Sequence, residues 1–113
     1  MIAGDDQLRW HGGRAVVRMP AEIDVTNADE IRQALRAAAC HGSAVLIIDM
    51  SGTTFCDSAG VQAIIDAYNE NQNAKTPAQL RIVTTAVRRI MTLVGIDQLV
   101  PVYSTLEAAL AAD

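Results

Sequence analysis

The run Ala44-Val45-Leu46-Ile47-Ile48 restricts the folds open to this chain more than any other segment. Five consecutive apolar residues leave no polar face, so a strand here must be covered on both sides. A sheet with such a strand at its centre needs helices layered on it, which points to an α/β architecture. The segment that follows, Asp49-Met50-Ser51-Gly52-Thr53-Thr54, is polar and turn-forming, and helical apolar spacing begins at Val61. Ser58 stands where an N-cap belongs, at a surface loop beside the carboxylate of Asp57. No other position combines a nucleophilic hydroxyl, a flanking acid and a helix start so plainly.

The flanking elements support this reading. Leu8–His11 and Arg14–Met19 surround Gly12-Gly13, a pair suited to the positive φ angles of a hairpin, and Pro20 ends the second strand. Asn27 with Glu30 has capping-box spacing, and Ala28, Ile31, Ala34, Leu35 and Ala38 recur at helical intervals up to His41-Gly42. Val61, Ile64, Ile65 and Tyr68 give a second helical stripe, which should fray into the polar stretch 69–76 before Pro77. Leu80, Ile82 and Val83 form the next strand. Val87, Ile90, Met91 and Val94 then suit a short helix closed by Gly95. Leu99–Tyr103 reads as a last strand, and Ser104 with Glu107 should cap a terminal helix carrying Leu106, Ala109 and Leu110. The order β-β-α-β-α-β-α-β-α predicts one domain over residues 1–113. Its sheet should be mixed but mostly parallel, with an N-terminal hairpin and four helices. Sites in such sheets lie at the carboxyl ends of strands, where Asp24 and Ser58 should both fall.

Composition narrows the function. With 113 residues the chain can bury a core without disulfides or metal, and Cys40 and Cys56 show no C-x-x-C spacing. The net charge of −4 argues against nucleic acid or an acidic membrane as the partner. The basic pair Arg88-Arg89 is read as a solvated helix face. The longest aliphatic run falls far short of the roughly 20 residues of a spanning helix, and the N-terminus has no secretion pattern. A cytoplasmic setting is the expectation. Phosphate-cradling glycine loops are absent, and so is a metal-ligand cluster. Ser58 lacks a G-x-S-x-G elbow, and the only histidines, His11 and His41, fall at a turn and a helix end, so serine catalysis is not supported. Glu22 and Asp24 taken alone read as solvated loop acids. Cys56 reads as a small buried residue and not as a redox switch.

Asp49-Met50-Ser51-Gly52 together with Phe55-Cys56-Asp57-Ser58-Ala59-Gly60-Val61 resembles the signature D-x-S-x-x-x-F-x-D-S-[SA]-G-[VL] of the STAS domain. The resemblance is to the bacterial anti-sigma factor antagonists of that family. Ala21-Glu22-Ile23-Asp24 is similar to the family's G-E-[LI]-D segment, with Ala in place of Gly. Ala86–Ile90 and Val94–Asp97 are similar to its later helix and turn, whereas the connection 69–79 lacks the common Gly-Gly turn. The resemblance implies a non-enzymatic switch protein without a cofactor. Its unmodified form would bind a serine-kinase-type anti-sigma factor, phosphorylation of Ser58 would abolish binding, and a serine phosphatase would reset it. Asp24, Thr26, Asp57, Ala59, Gly60 and Gln62 are the implied contacts to the kinase. The alternative is a STAS scaffold or ligand-sensing domain that is not controlled by phosphorylation.

Overall fold

The structure, a computed structural model, describes residues 8–40 and 42–112. The chain runs β1 (Leu8–His11), β2 (Arg14–Arg18), β3 (Glu22–Ile23), α1 (Ala28–Ala39), β4 (Val45–Asp49), β5 (Phe55–Cys56) and α2 (Ser58–Gln72). It continues with β6 (Gln79–Val83), α3 (Arg88–Leu93), a single 3₁₀ turn (Ile96–Gln98), β7 (Val102–Tyr103) and α4 (Leu106–Ala111). Five strands form a sheet in the order β1-β2-β4-β6-β7. β1 and β2 are antiparallel across the hairpin, with Gly12 at φ +65°, and the other pairings are parallel. β3 and β5 pair separately as a two-stranded parallel ribbon.

β4 lies at the centre, and all five of its residues are buried. Alternate side chains divide the core into two. Leu46 and Ile48 join Ala15, Val17, Leu80 and Ile82 under Ile31 and Leu35 of α1, Ile64 of α2 and Met91 of α3. Val45 and Ile47 join Val16 and Val83 on the opposite face, where Ala109, Leu106 and Leu110 of α4 cover them. α1 and α2 are further tied side by side. Arg36 grips Glu70 with two hydrogen bonds of 2.7 and 3.0 Å, and Arg32 bridges Asp29 and Asp66.

The sheet buries a cation as well as the Asp49 carboxylate at the end of β4. Arg81 of β6 is 1% exposed and points to the α4 face, where its Nη1 donates to the Ala109 carbonyl at 2.7 Å and its Nη2 to Gln79 Oε1. Carbonyls in the last turn of a helix have no partner within the helix, and a cation there also complements the helix dipole. Arg81 thus holds the end of α4 from beneath.

Several elements depart from the sequence pattern. α2 does not fray at Asn69 but continues to Gln72. The buried Asn71 side chain donates to the Ala78 carbonyl at 2.7 Å and accepts from the Ala78 N–H at 3.0 Å, so a tertiary bond pair overrides the weak helix propensity of Asn. The expected strand Leu99–Tyr103 shrinks to Val102–Tyr103, because the backbone N–H groups of Leu99 and Val100 fold back onto the Ile96 carbonyl, both at 2.9 Å, at the end of the 3₁₀ turn. Thr105, not Ser104, caps α4, its hydroxyl accepting from Ala108 N–H at 3.1 Å. Asn27 occupies the N-cap of α1 but makes no side-chain cap bond, so the expected capping box with Glu30 does not form. His41 lies outside the described residues, while Gly42 beside it has φ +77°. Among the described residues no helix is long and apolar enough to cross a membrane.

Asn71→Ala strands a buried donor and a buried acceptor at Ala78, each worth about 1–3 kcal/mol when left unsatisfied. Urea unfolding of that variant is expected to show a loss of about 2–4 kcal/mol, with an unchanged m-value.

Candidate functional site

The ribbon β3–β5 brings two loops together. Ile23 pairs with Cys56, so Asp24 and Asp57 leave the two strands at the same level, and Asp57 N–H donates back to the Ile23 carbonyl at 3.1 Å. Upstream, the loop before β5 is fastened to the loop before β3. Thr53 Oγ1 donates to the Pro20 carbonyl at 2.8 Å, and Thr54 N–H donates to the Ala21 carbonyl, also at 2.8 Å. The buried Asp49 carboxylate turns the chain out of β4 by accepting from Ser51 N–H at 3.0 Å. The D-x-S spacing of the sequence is therefore an Asp side chain closing its own turn.

On the first loop, Asp24 Oδ1 accepts from the backbone N–H of Thr26 at 2.9 Å and from the Thr26 hydroxyl. The hydroxyl bond first, and the amide bond after it, hold the Asp24 carboxyl below the usual carboxylate range. Asn27 braces this loop, accepting from Asp24 N–H at 3.0 Å and donating to the Glu22 carbonyl at 2.8 Å. That bracing explains why the Asn27 side chain is not free to cap α1.

On the second loop the cap differs from the expected one by a single residue. Asp57, not Ser58, is the N-cap of α2, its Oδ1 accepting from Ala59 N–H at 2.9 Å and Gly60 N–H at 3.2 Å. Ser58 is the first residue of the helix, exposed, and its hydroxyl has no hydrogen-bond partner among the described residues. Asp and Ser are nearly equal as caps, and the carboxylate wins here with two bonds and a favourable charge at the helix start. The hydroxyl is thereby left free for an incoming group.

Gly60 explains how closely the helix approaches the ribbon. A Cβ at this position would lie 2.5 Å from Ile23 Cγ2 and 2.7 Å from Cys56 Sγ, so only Gly lets the first turn of α2 settle on β3 and β5. Ala59 is half-buried beside it. Gln62 is exposed one turn on, its Nε2 donating to Asp66 Oδ1 at 2.9 Å. Of the expected site residues, Asp24, Thr26, Asp57, Ser58, Ala59 and Gly60 thus fall on two bonded loops, and Gln62 faces along α2.

Two residues at this end were not among the expected site residues, although Phe55 belongs to the signature itself. Val25 is 76% exposed next to Asp24, and Phe55 is 49% exposed on β5 opposite Glu22. The available signal was a large apolar residue inside an otherwise polar turn segment. Segments 21–27 and 51–60 also carry Glu22, Asp24 and Asp57 and no Lys or Arg, so the two loops are acidic with apolar projections. Cys56 is buried, and burial, followed by the nearby Asp57 charge, pushes its thiol up to about 11. Among the described residues no group of three or more His, Cys, Asp or Glu could hold a metal ion.

The family model of the STAS domain matches residues 7–109. The chain belongs to the STAS domain family. It is 29% identical over 100 residues to the anti-sigma-F factor antagonist RsfB of Mycobacterium tuberculosis, covering 88% of this chain and 81% of that protein. An anti-sigma factor antagonist from Mycobacterium paratuberculosis, solved as a crystal structure, superposes with a TM-score of 0.81 at 31% identity. That match covers 91% of this chain and 87% of the other. The anti-sigma factor antagonist SpoIIAA in its unphosphorylated form shares the fold at a TM-score of 0.72 and 21% identity, over 92% of this chain and 91% of its own.

Two outcomes are expected from this geometry. Asp57→Ala removes the cap of α2 and should lower stability by about 0.5–2 kcal/mol in denaturant titrations, whereas Asp57→Asn keeps an acceptor and should stay near the parent. A thiol reagent at mildly alkaline pH should modify the exposed Cys40 and spare Cys56 until denaturant is added, as counted by intact mass.

Proposed function

We propose that this chain is an anti-sigma factor antagonist, a single STAS domain over residues 1–113 acting in the cytoplasm as a binding protein and not as an enzyme. In its unphosphorylated form it docks a serine-kinase-type anti-sigma factor and so releases the sigma factor. Phosphorylation of Ser58 by that kinase ends the docking, and a serine phosphatase restores it. The observation that carries the reading is the free, exposed Ser58 hydroxyl at the first position of α2, on a loop bonded to the one that presents Asp24. The names of the relatives near 30% identity support the same class of partner.

The physical logic runs through charge. Asp57 already accepts from the first-turn N–H groups of Ala59 and Gly60, so a phosphate on Ser58 would find those donors in use and a carboxylate beside it. Within the free protein it would stay solvated, with attraction to the helix N-terminus and repulsion from Asp57 in opposition. Under a docked partner the same dianion must be stripped of water or matched by a new cation. Val25 and Phe55 supply apolar anchors of the kind that dominate interfaces, and Glu22, Asp24 and Asp57 call for a basic partner surface. Asp24, Thr26, Asp57, Ala59, Gly60 and Gln62 complete the contact face.

Incubation with ATP and the kinase-type anti-sigma factors of the same genome, followed by phosphopeptide mapping and binding titrations, tests this. Phosphate is expected on Ser58 alone, with binding weakened by more than about a hundredfold, which corresponds to ~3 kcal/mol. Ser58→Ala should still bind, and stoichiometric phosphate elsewhere in that variant would refute the assignment. Asp24→Asn keeps the acceptor for Thr26 while removing charge. It should slow phosphorylation with little change in melting temperature, and a large stability loss with normal phosphorylation would make Asp24 structural.

A further inference from the structure

The packing of α1 on α2 is incomplete at their C-terminal ends. A cleft of about 350 Å³ opens there between the two helices and the sheet, at the low end of the range for small-molecule sites. Its floor is formed by Leu46 and Ile48 of β4 and Leu80 of β6. Its walls are Leu35 and Ala39 on one helix and Ala67 on the other, with Ala74 just beyond. The alanines create the space, since larger side chains at positions 39 and 67 would fill it. Ala67 lies nine residues beyond Ser58, roughly 13 Å along α2, so the cleft is separate from the phosphorylation face.

The polar groups at its mouth restrict what can enter. Arg36 and Glu70 line it but neutralise each other through their paired hydrogen bonds. Asn71 lines it too, yet its amide is committed at both ends to Ala78. Lys75 has no ion pair or hydrogen bond among the described residues, and the hydroxyl of Thr76 stands next to it. The mouth therefore presents one uncompensated positive charge over an aliphatic floor. None of the described lining residues is aromatic, so a nucleobase would find no ring to stack on. One ammonium is also a poor match for a polyphosphate.

We propose that this cleft binds a small amphiphilic monoanion of the medium-chain carboxylate class. The aliphatic body lies against Leu46, Ile48 and Leu80, and the carboxylate meets Lys75. The site is independent of the switch reading above, because neither Ser58 nor Asp24 contributes to it.

Decanoate below its micelle concentration, titrated into the full chain and followed by amide chemical shifts and calorimetry, is the direct test. Saturable shifts should cluster at Leu46, Ala67, Lys75 and Leu80. Lys75→Gln should weaken decanoate about three- to fivefold, the contribution of an exposed ion pair, and leave decan-1-ol unchanged. Ala67→Leu, or Ala39→Leu from the opposite wall should the first not fold, should abolish binding of both probes without lowering the melting temperature. The proposal is overturned by absence of saturable shifts at millimolar decanoate, by shifts centred on Val25 and Phe55 instead, or by a folded wall variant that binds as the parent does. Equal affinity of Lys75→Gln and the parent for decanoate overturns it as well.

Discussion

The burial of β4 on both faces is the constraint from which the rest of the architecture follows. A strand with Leu46 and Ile48 on one side and Val45 and Ile47 on the other cannot stay soluble as part of a single-layered sheet. One layer is supplied by α1 and α2, long enough to be held by their own apolar stripes and by the Arg36–Glu70 and Arg32–Asp66 bridges. The other layer is the single short helix α4. Six residues are too few to be helical alone, so α4 depends on the sheet beneath it.

With this frame in place, the site requires little additional machinery. Two residues of β3 and two of β5 align the loops, Gly60 lets α2 start directly on that ribbon, and Asp57 closes the first turn. Asn27 and Thr26 do for Asp24 what the helix start does for Ser58, which is to present one polar side chain in a set direction. The presented groups rest on fastened backbone, so the surface that the proposed partner would meet is already organised. Preorganisation of this kind lowers the ordering cost of association.

Much of this could be read from residues alone. The hairpin around Gly12, the helix through Ile31 and Leu35, a buried central strand (Val45–Asp49, one residue on from the run 44–48, with Ala44 exposed before it) and the Ser58 loop all follow from patterns that local physics imposes. What escaped was decided by contacts distant in sequence. β3 and β5 are two residues each, too short for a period-two pattern, and exist only because they pair with each other. Asn71 looked like a helix breaker because its bonds to Ala78 across the following turn are not visible locally. Ser58 and Asp57, like Ser104 and Thr105, are adjacent residues of which either could cap. Composition cannot separate such pairs, and backbone direction can. Arg81 is the inverse case. A charge inside a strand reads as exposed until the open carbonyl of α4 gives it somewhere to go.

That arginine has a consequence for the uniqueness of the fold. An aliphatic face alone would accept α4 in several positions, shifted or rotated by a turn, with similar burial. A guanidinium fixed in β6 accepts only the placement that sets the Ala109 carbonyl above it, since any other leaves a buried cation facing hydrocarbon. Arg81 therefore works as a locating pin. The charge contributes little net stability, but it excludes near-miss arrangements that a purely oily layer would tolerate, and the least constrained helix of the molecule acquires a single seat.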